Sequence, residues 1–258
     1  MIRRSPRLIG KYPRTTKGKK ERKMYSKETL KSYLERMEAT IKWYALFPVD
    51  SLEVAVSEGN VKVDDIPNVS LPPIFTCPHC NECKKECYDI KACLAYPSVM
   101  KARARNYSIL KRNAELFWKQ LHDKIRKLLN RKKGMQFFRF EVGGDIISKS
   151  YFEGMIKTAR LFPTVTFWTY TKAHSIVNKY VQEHGGSKAE AIPRNLSVMF
   201  SRWEGMTTEN PYGFGEFIAI GKDETPPAGA WKCIGNCRKC AELKRGCPVN
   251  ETAWCYKH

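Results

Sequence analysis

The sequence predicts an α/β fold, a partial (open) β/α barrel with cysteine-rich loops and a basic N-terminal arm. Three observations carry that prediction. After Gly134, apolar runs of strand character alternate with segments of helical periodicity. The runs starting at 137, 164 and 195 are about 30 residues apart, a spacing that suits βαβ units in a parallel sheet. The cysteines fall into two dense groups, Cys77 to Cys93 and Cys233 to Cys255, one on each side of that alternating region. A closed eight-unit barrel usually takes ~250 residues, so the units visible in this 258-residue chain describe a shortened, open one.

Taken in order, residues 1–25 read as a flexible basic arm interrupted by Pro6, Gly10, Pro13 and Gly18. Residues 26–75 read as a helix and a Pro-rich connector. Ser26 opens the helix, and Leu30, Tyr33, Leu34, Met37 and Ile41 recur at helical spacing. Residues 48–75 hold Pro48, Pro67, Pro72 and Pro73 and short Val-rich runs such as LEVAV, and they read as a loop with one short strand. Residues 76–258 form the α/β metal-binding domain. A long basic helix is expected from about Ser98 to Lys133. Its apolar side carries Ile109, Phe117, Leu121 and Ile125, and its other faces carry Lys101, Arg103, Arg105, Arg112, Lys124 and Arg126. FFRFEV (137–142) is then a strand, and 148–162 is a helix capped by Ser148. TVTFWTY (164–170) is a second strand, followed by a helix that Gly185 and Gly186 end. NLSVMFS (195–201) and EFIAI (216–220) are the third and fourth strands of this region.

The formal net charge is +20, a field that attracts polyanions. Arg3 to Lys23 opposes its positive residues with Glu21 alone. Nucleic acid is therefore the expected partner, bound through the arm and the long helix. No run approaches the ~20 apolar residues of a membrane span, and the N-terminus has no apolar signal core. A cytoplasmic location without membrane contact follows as an expectation. Thiols there stay reduced, so the cysteines read as metal ligands rather than disulfides.

Cys77, Cys80, Cys83 and Cys87 stand at C-x2-C-x2-C-x3-C, the spacing of bacterial ferredoxin ligands. Tyr88 follows where ferredoxins carry proline. Cys93 is a further ligand or a buried thiol. Cys233, Cys237 and Cys240 read C-x3-C-x2-C, followed by Cys247, with Cys255 and His258 in reserve. Four thiolates suit an iron–sulfur cluster of the 4Fe–4S type or zinc, and both remain open.

Each strand end also turns polar. Gly143, Gly144 and Asp145 follow the first strand, Thr171 and Lys172 end the second, and Ser201, Arg202 and Glu204 end the third. Open α/β sheets bind ligands at that carboxyl edge. Lys172, Arg202 and Glu204 are the residues expected to line a substrate site.

With these pieces in order, the chain resembles the phage and plasmid gene-product-88 family. The carriers are Cys83-x3-Cys87-Tyr88, RARN at 103–106, GGD at 143–145, FWTYTK at 167–172 and CIGNCRKC at 233–240. At lower specificity it looks like a radical S-adenosylmethionine enzyme core. That likeness implies iron held by the first cysteine group and S-adenosylmethionine held by Gly143, Gly144 and Asp145. The expected function is a mobile-element iron–sulfur protein of that type acting on nucleic acid. The alternatives are a zinc-stabilised nucleic-acid-binding protein without catalysis and a closed-cluster electron carrier.

The arm gives a direct test. Phosphate contacts release counterions, and each contributes ~0.9 to the salt slope on duplex DNA. Deleting residues 1–23 should weaken duplex binding and flatten that slope in a titration across salt concentrations. Unchanged affinity and slope would remove the arm from the interface.

Overall fold

The computed structural model describes residues 25–59, 63–80, 82–131, 134–203, 206 and 209–256. The arm, apart from Tyr25, lies outside the described residues, and so do Glu204 and His258.

Helix α1 (Lys27–Ala45) starts where expected, with Ser26 Oγ accepting a hydrogen bond from the Thr29 amide. Strand β1 (Asn68–Val69) follows the connector. Then come helices α2 (Tyr88–Ala95), α3 (Pro97–Arg112) and α4 (Ala114–Leu129). The alternating region supplies β2 (Phe137–Phe140), α5 (Lys149–Leu161), β3 (Thr166–Thr171), α6 (His174–Glu183), α7 (Lys188–Ala191), β4 (Leu196–Arg202) and β5 (Glu216–Ile220). The C-terminal segment adds β6 (Trp231–Lys232), α8 (Cys237–Glu242) and β7 (Ala253–Tyr256).

Among the described residues the strands form one open sheet in the order β1-β2-β3-β4-β5-β7-β6. Every pairing in it is parallel. Successive strand residues point to opposite faces. Phe138, Phe140, Phe167 and Phe200 join the main core, which also holds Ile109, Phe117, Leu121 and Phe152 from α3, α4 and α5. The other face carries Arg139, Trp168, Tyr170 and Met199. There Trp168 packs with Val63, Ile66 and Cys237, while Met199 packs with Cys247 and Ala253. Helices thus cover one face, and the C-terminal cysteine segment packs on the other.

Two expectations need correction and one gains detail. The long helix is two helices. Asn113 leaves the helical region (φ −154°, ψ 89°), and its Oδ1 accepts the Leu116 amide at 3.0 Å. A local side-chain bond of this kind competes with helix continuation and starts a new helix instead. The connector's one short strand is β1, and the Val-rich run LEVAV stays outside the sheet because side chains take its backbone groups. Val54 N donates to Gln120 Oε1, Ala55 N donates to Asn106 Oδ1, and Asn106 Nδ2 donates to the Ala55 carbonyl. The basic face of α3 and α4 is also partly internal. Arg103 is buried, Arg112 donates to the Tyr44 and Phe47 carbonyls, and Lys124 pairs with Glu53 at 2.8 Å. Strands β6 and β7 were not anticipated.

Arg103 explains why α2 and α3 pack as they do. Its Nε and Nη2 donate to Asp89 Oδ2 and Oδ1 at 3.2 and 3.1 Å, and both side chains are almost wholly enclosed. Removing one partner of such a pair leaves an uncompensated buried charge. Arg103→Leu should therefore lower the unfolding free energy by ~3–5 kcal/mol. The double variant Arg103→Leu/Asp89→Leu should lose clearly less than the sum of the single changes. Urea unfolding of the four proteins checks both statements.

Candidate functional site

The cysteine loop leaves β1 and the GGD turn leaves β2, so both emerge at the carboxyl edge of the sheet. Side-chain and backbone bonds lock them together. Ser70 Oγ accepts the Val142 and Gly143 amides at 3.1 and 3.3 Å. Leu71 N donates to the Gly143 carbonyl at 3.0 Å. The Tyr88 hydroxyl donates to the Val142 carbonyl, which joins the end of the cysteine loop to the turn. The Tyr25 hydroxyl donates to the Cys87 carbonyl at 2.7 Å.

The two glycines are required by packing. A Cβ on Gly143 would stand 1.7 Å from Asp89 Oδ2. Gly144 has φ +92°, and a Cβ there would meet Glu141 Oε2 at 2.7 Å and Thr76 Oγ1 at 2.8 Å. Asp145 is buried and braces two strand ends. Its Oδ1 accepts from Thr171 Oγ1 at 2.6 Å and from Ile146 N at 2.7 Å, and its Oδ2 accepts from Lys172 N at 3.0 Å. A carboxylate offers about four acceptor positions, so Asp145 keeps one beyond these three bonds.

These residues wall a cavity of about 200 Å³. Cys77, Cys80, Cys83 and Cys87 line one side together with Gly143, Gly144 and Asp145. Cys233, Cys237 and Cys255 line it as well, so both cysteine groups reach the same space. Lys172, Tyr170, Ser201 and Trp203 come from the ends of β3 and β4. Lys172 Nζ lies 5.8 Å from the Trp203 ring centre. Among the described residues, no three side chains of Cys, His, Asp or Glu gather tightly enough to hold a single metal ion.

Other expected site residues go elsewhere. Arg202 pairs with Glu216 at 3.1 Å and lines a neighbouring cleft of about 580 Å³, which shares Trp203 and Ala219 with the cavity. Glu204 lies outside the described residues. Cys240 and Cys247 are buried away from the cavity lining. Cys93 is fully buried in the main apolar core. The RARN motif is architectural. Arg103 pairs with Asp89, and Asn106 ties the Ala55 and Ser70 carbonyls together.

Sequence reasoning missed Arg139 and Glu141 and held Cys255 only in reserve. Arg139 stands between Phe138 and Phe140, and period-2 alternation marks it as facing away from them. Glu141 follows the end of β2 with φ +51° and reaches Tyr151 on the helix side instead. Cys255 lines the cavity only because β7 inserts between β5 and β6.

Burial dominates the electrostatics. It pushes the Cys77 thiol up, with the Asp145 charge adding to the effect. Burial and then Asp89 push Cys87 up to about 12. Thiols in this state bind metal by releasing their protons. Burial pulls the Arg139 guanidinium down, but Tyr88, Tyr170, Cys237 and Cys247 around it hold it above its ordinary range.

Comparison with known families matches residues 18–255 to Gene product 88. The chain belongs to that family. The match extends beyond the region that the sequence motifs covered, into the end of the basic arm. No curated protein matches the chain, and no solved structure does. Among the described residues no helix is long and apolar enough to cross a membrane.

Glu141 supplies a pH test within this family member. Burial raises its carboxyl from 4.5 to about 8, against the bonds from Tyr151 and the Leu71 amide. A folded-state value above the unfolded one means that neutral Glu141 stabilises the fold fully below pH 4.5, an effect lost as the pH rises toward 8. Glu141→Gln removes that titration. Between pH 6 and 8 the wild type should lose on the order of 2 kcal/mol relative to the variant. Parallel unfolding curves across that range measure it.

Proposed function

We propose that this chain is an iron–sulfur protein whose first cysteine group holds a cluster at the carboxyl edge of the sheet. We further propose that Gly143, Gly144 and Asp145 hold S-adenosylmethionine beside it, in an enzyme of the radical S-adenosylmethionine type acting on nucleic acid. One observation carries this reading. The cysteine loop follows β1, the GGD turn follows β2, and both wall the same cavity.

The donor set fits the group. Four thiols on one side of a cavity suit a cluster with volume of its own. Cys80, Cys83 and Cys87 are the preferred ligands. Cys77 also lines the cavity and is available as a fourth, whereas Cys93 faces the apolar core and is a structural thiol. When bound, such a cluster supplies single electrons. The chain's own residues position and enclose. Gly143 and Gly144 let Asp89, Glu141 and Thr76 pack closely against the turn, Asp145 fixes the turn against Lys172, and Trp203 and Lys172 line the cavity with it. The charge of +20 supports a polyanionic substrate.

A second reading, a zinc-stabilised nucleic-acid-binding protein, draws support from the C-terminal group. Cys240 and Cys247 are buried close to Cys233 and Cys237 and away from the cavity, as a purely structural metal would require.

Anaerobic purification followed by metal analysis separates the two. The first reading expects iron with acid-labile sulfide and a broad visible band, both lost in Cys83→Ser. Asp145→Asn should weaken S-adenosylmethionine binding at least tenfold in calorimetry while iron content stays the same. A colourless protein with stoichiometric zinc would sink the first reading and support the second.

A further inference from the structure

Among the described residues, Arg139 is a buried charge that the fold does not explain. It sits on β2 between Phe138 and Phe140, with a paired strand on each side. The phenylalanines point into the helix-side core, so alternation turns Arg139 to the other face, where it lines the cysteine-walled cavity. It is 5% exposed, and its Nε has no hydrogen-bond partner.

Among the described residues no carboxylate answers it. The three buried carboxyl groups of the cavity wall are committed elsewhere. Asp89 binds Arg103, Asp145 binds Thr171 and two backbone amides, and Glu141 binds Tyr151 and the Leu71 amide. The guanidinium instead lies over the Tyr170 ring, 4.6 Å from its centre. A ring face offsets only part of the desolvation of a buried cation. An apolar residue between Phe138 and Phe140 would serve the fold better than a charge.

We propose that Arg139 anchors an oxyanion site inside this cavity, taking a carboxylate or phosphate group of a ligand that enters between the two cysteine groups. The planar fork of a guanidinium matches two oxygens of such a group and holds its full charge at any working pH. Thiol and thiolate sulfurs are weaker, more diffuse acceptors. Tyr170 fixes the plane of the fork from one side, which leaves its N–H edges for the ligand. The site stands on the cavity and on Arg139, whether or not a cluster is present.

The test uses the full chain as purified, with metal content measured in the same samples. Inorganic phosphate and succinate are titrated at constant ionic strength, and melting temperature and tryptophan fluorescence are followed. In the wild type at least one anion should raise the melting temperature by several degrees and saturate. The anion that saturates at lower concentration identifies the group as phosphate or carboxylate. Arg139→Met should abolish the shift without melting below the wild type, because an apolar isostere removes an unpaired buried charge. Arg139→Lys keeps the charge, loses the fork and should bind at least tenfold more weakly; it decides the matter if the methionine variant fails to fold. The site is overturned if neither anion shifts the wild type, or if Arg139→Lys binds as tightly as the wild type. It is also overturned if Arg139→Met loses metal while still binding the anion, which would make Arg139 a counter-charge to the metal centre. Wild type without iron that binds an anion through Arg139 would sink the cluster proposal and leave this site standing. Iron-loaded protein indifferent to both anions would do the reverse.

Discussion

The buried pair of Asp89 and Arg103 is the constraint on which the candidate site depends. Two charges removed from water hold together only in close register, and here that register sets three segments at once. Arg103 fixes α3, Asp89 fixes the start of α2 two residues after Cys87, and the Asp89 carboxylate rests against the bare Cα of Gly143. The cysteine loop, the helical pair and the GGD turn therefore form one packed unit. Tyr88 and Ser70 add bonds within that unit, so the last cysteine of the loop and the turn share their supports.

The sheet divides the molecule chemically. Its helix side is a continuous aromatic and aliphatic core, with Phe140 and Phe167 stacked at 5.4 Å and Phe138 beside them. Its other side mixes sulfur, hydroxyl and charge: Arg139, Tyr170, Cys237 and Cys247. A parallel sheet is ordinarily apolar on both faces because helices cover both. Here a cysteine-bearing segment covers one of them, and polar side chains there can serve a ligand rather than the fold.

That division also accounts for the two fates of the cysteines. The first group stands on the carboxyl edge beside Asp145, whose charge acts on Cys77 and Cys83. The second group is split. Cys233 and Cys237 face the cavity, while Cys240 and Cys247 are enclosed by α8, β6 and the core around Met199. Arg202 shows the same dependence on strand geometry. As the last residue of β4 it turns outward to Glu216, and Ser201 and Trp203 on either side of it line the cavity instead.

Local patterns determined much of this protein in advance. The alternation after Gly134, the Ser26 and Ser148 caps and the strand EFIAI appear in the fold where the sequence put them, because periodicity and capping act within a few residues. The family was legible for the same reason: its motifs are short and contiguous. The break at Asn113, the burial of Arg103 and the placing of the connector strand outside LEVAV were not legible. Each is set by a partner that local spacing does not reveal, from Leu116 close by to Asp89 and Asn106 farther along the chain. The convergence of both cysteine groups on one cavity belongs to tertiary structure alone. It follows from β7 inserting between β5 and β6, which carries Cys255 and the C-terminal segment onto the face of Arg139. Spacing in a sequence shows which thiols can turn toward one centre, but strand order decides which distant side chains share it.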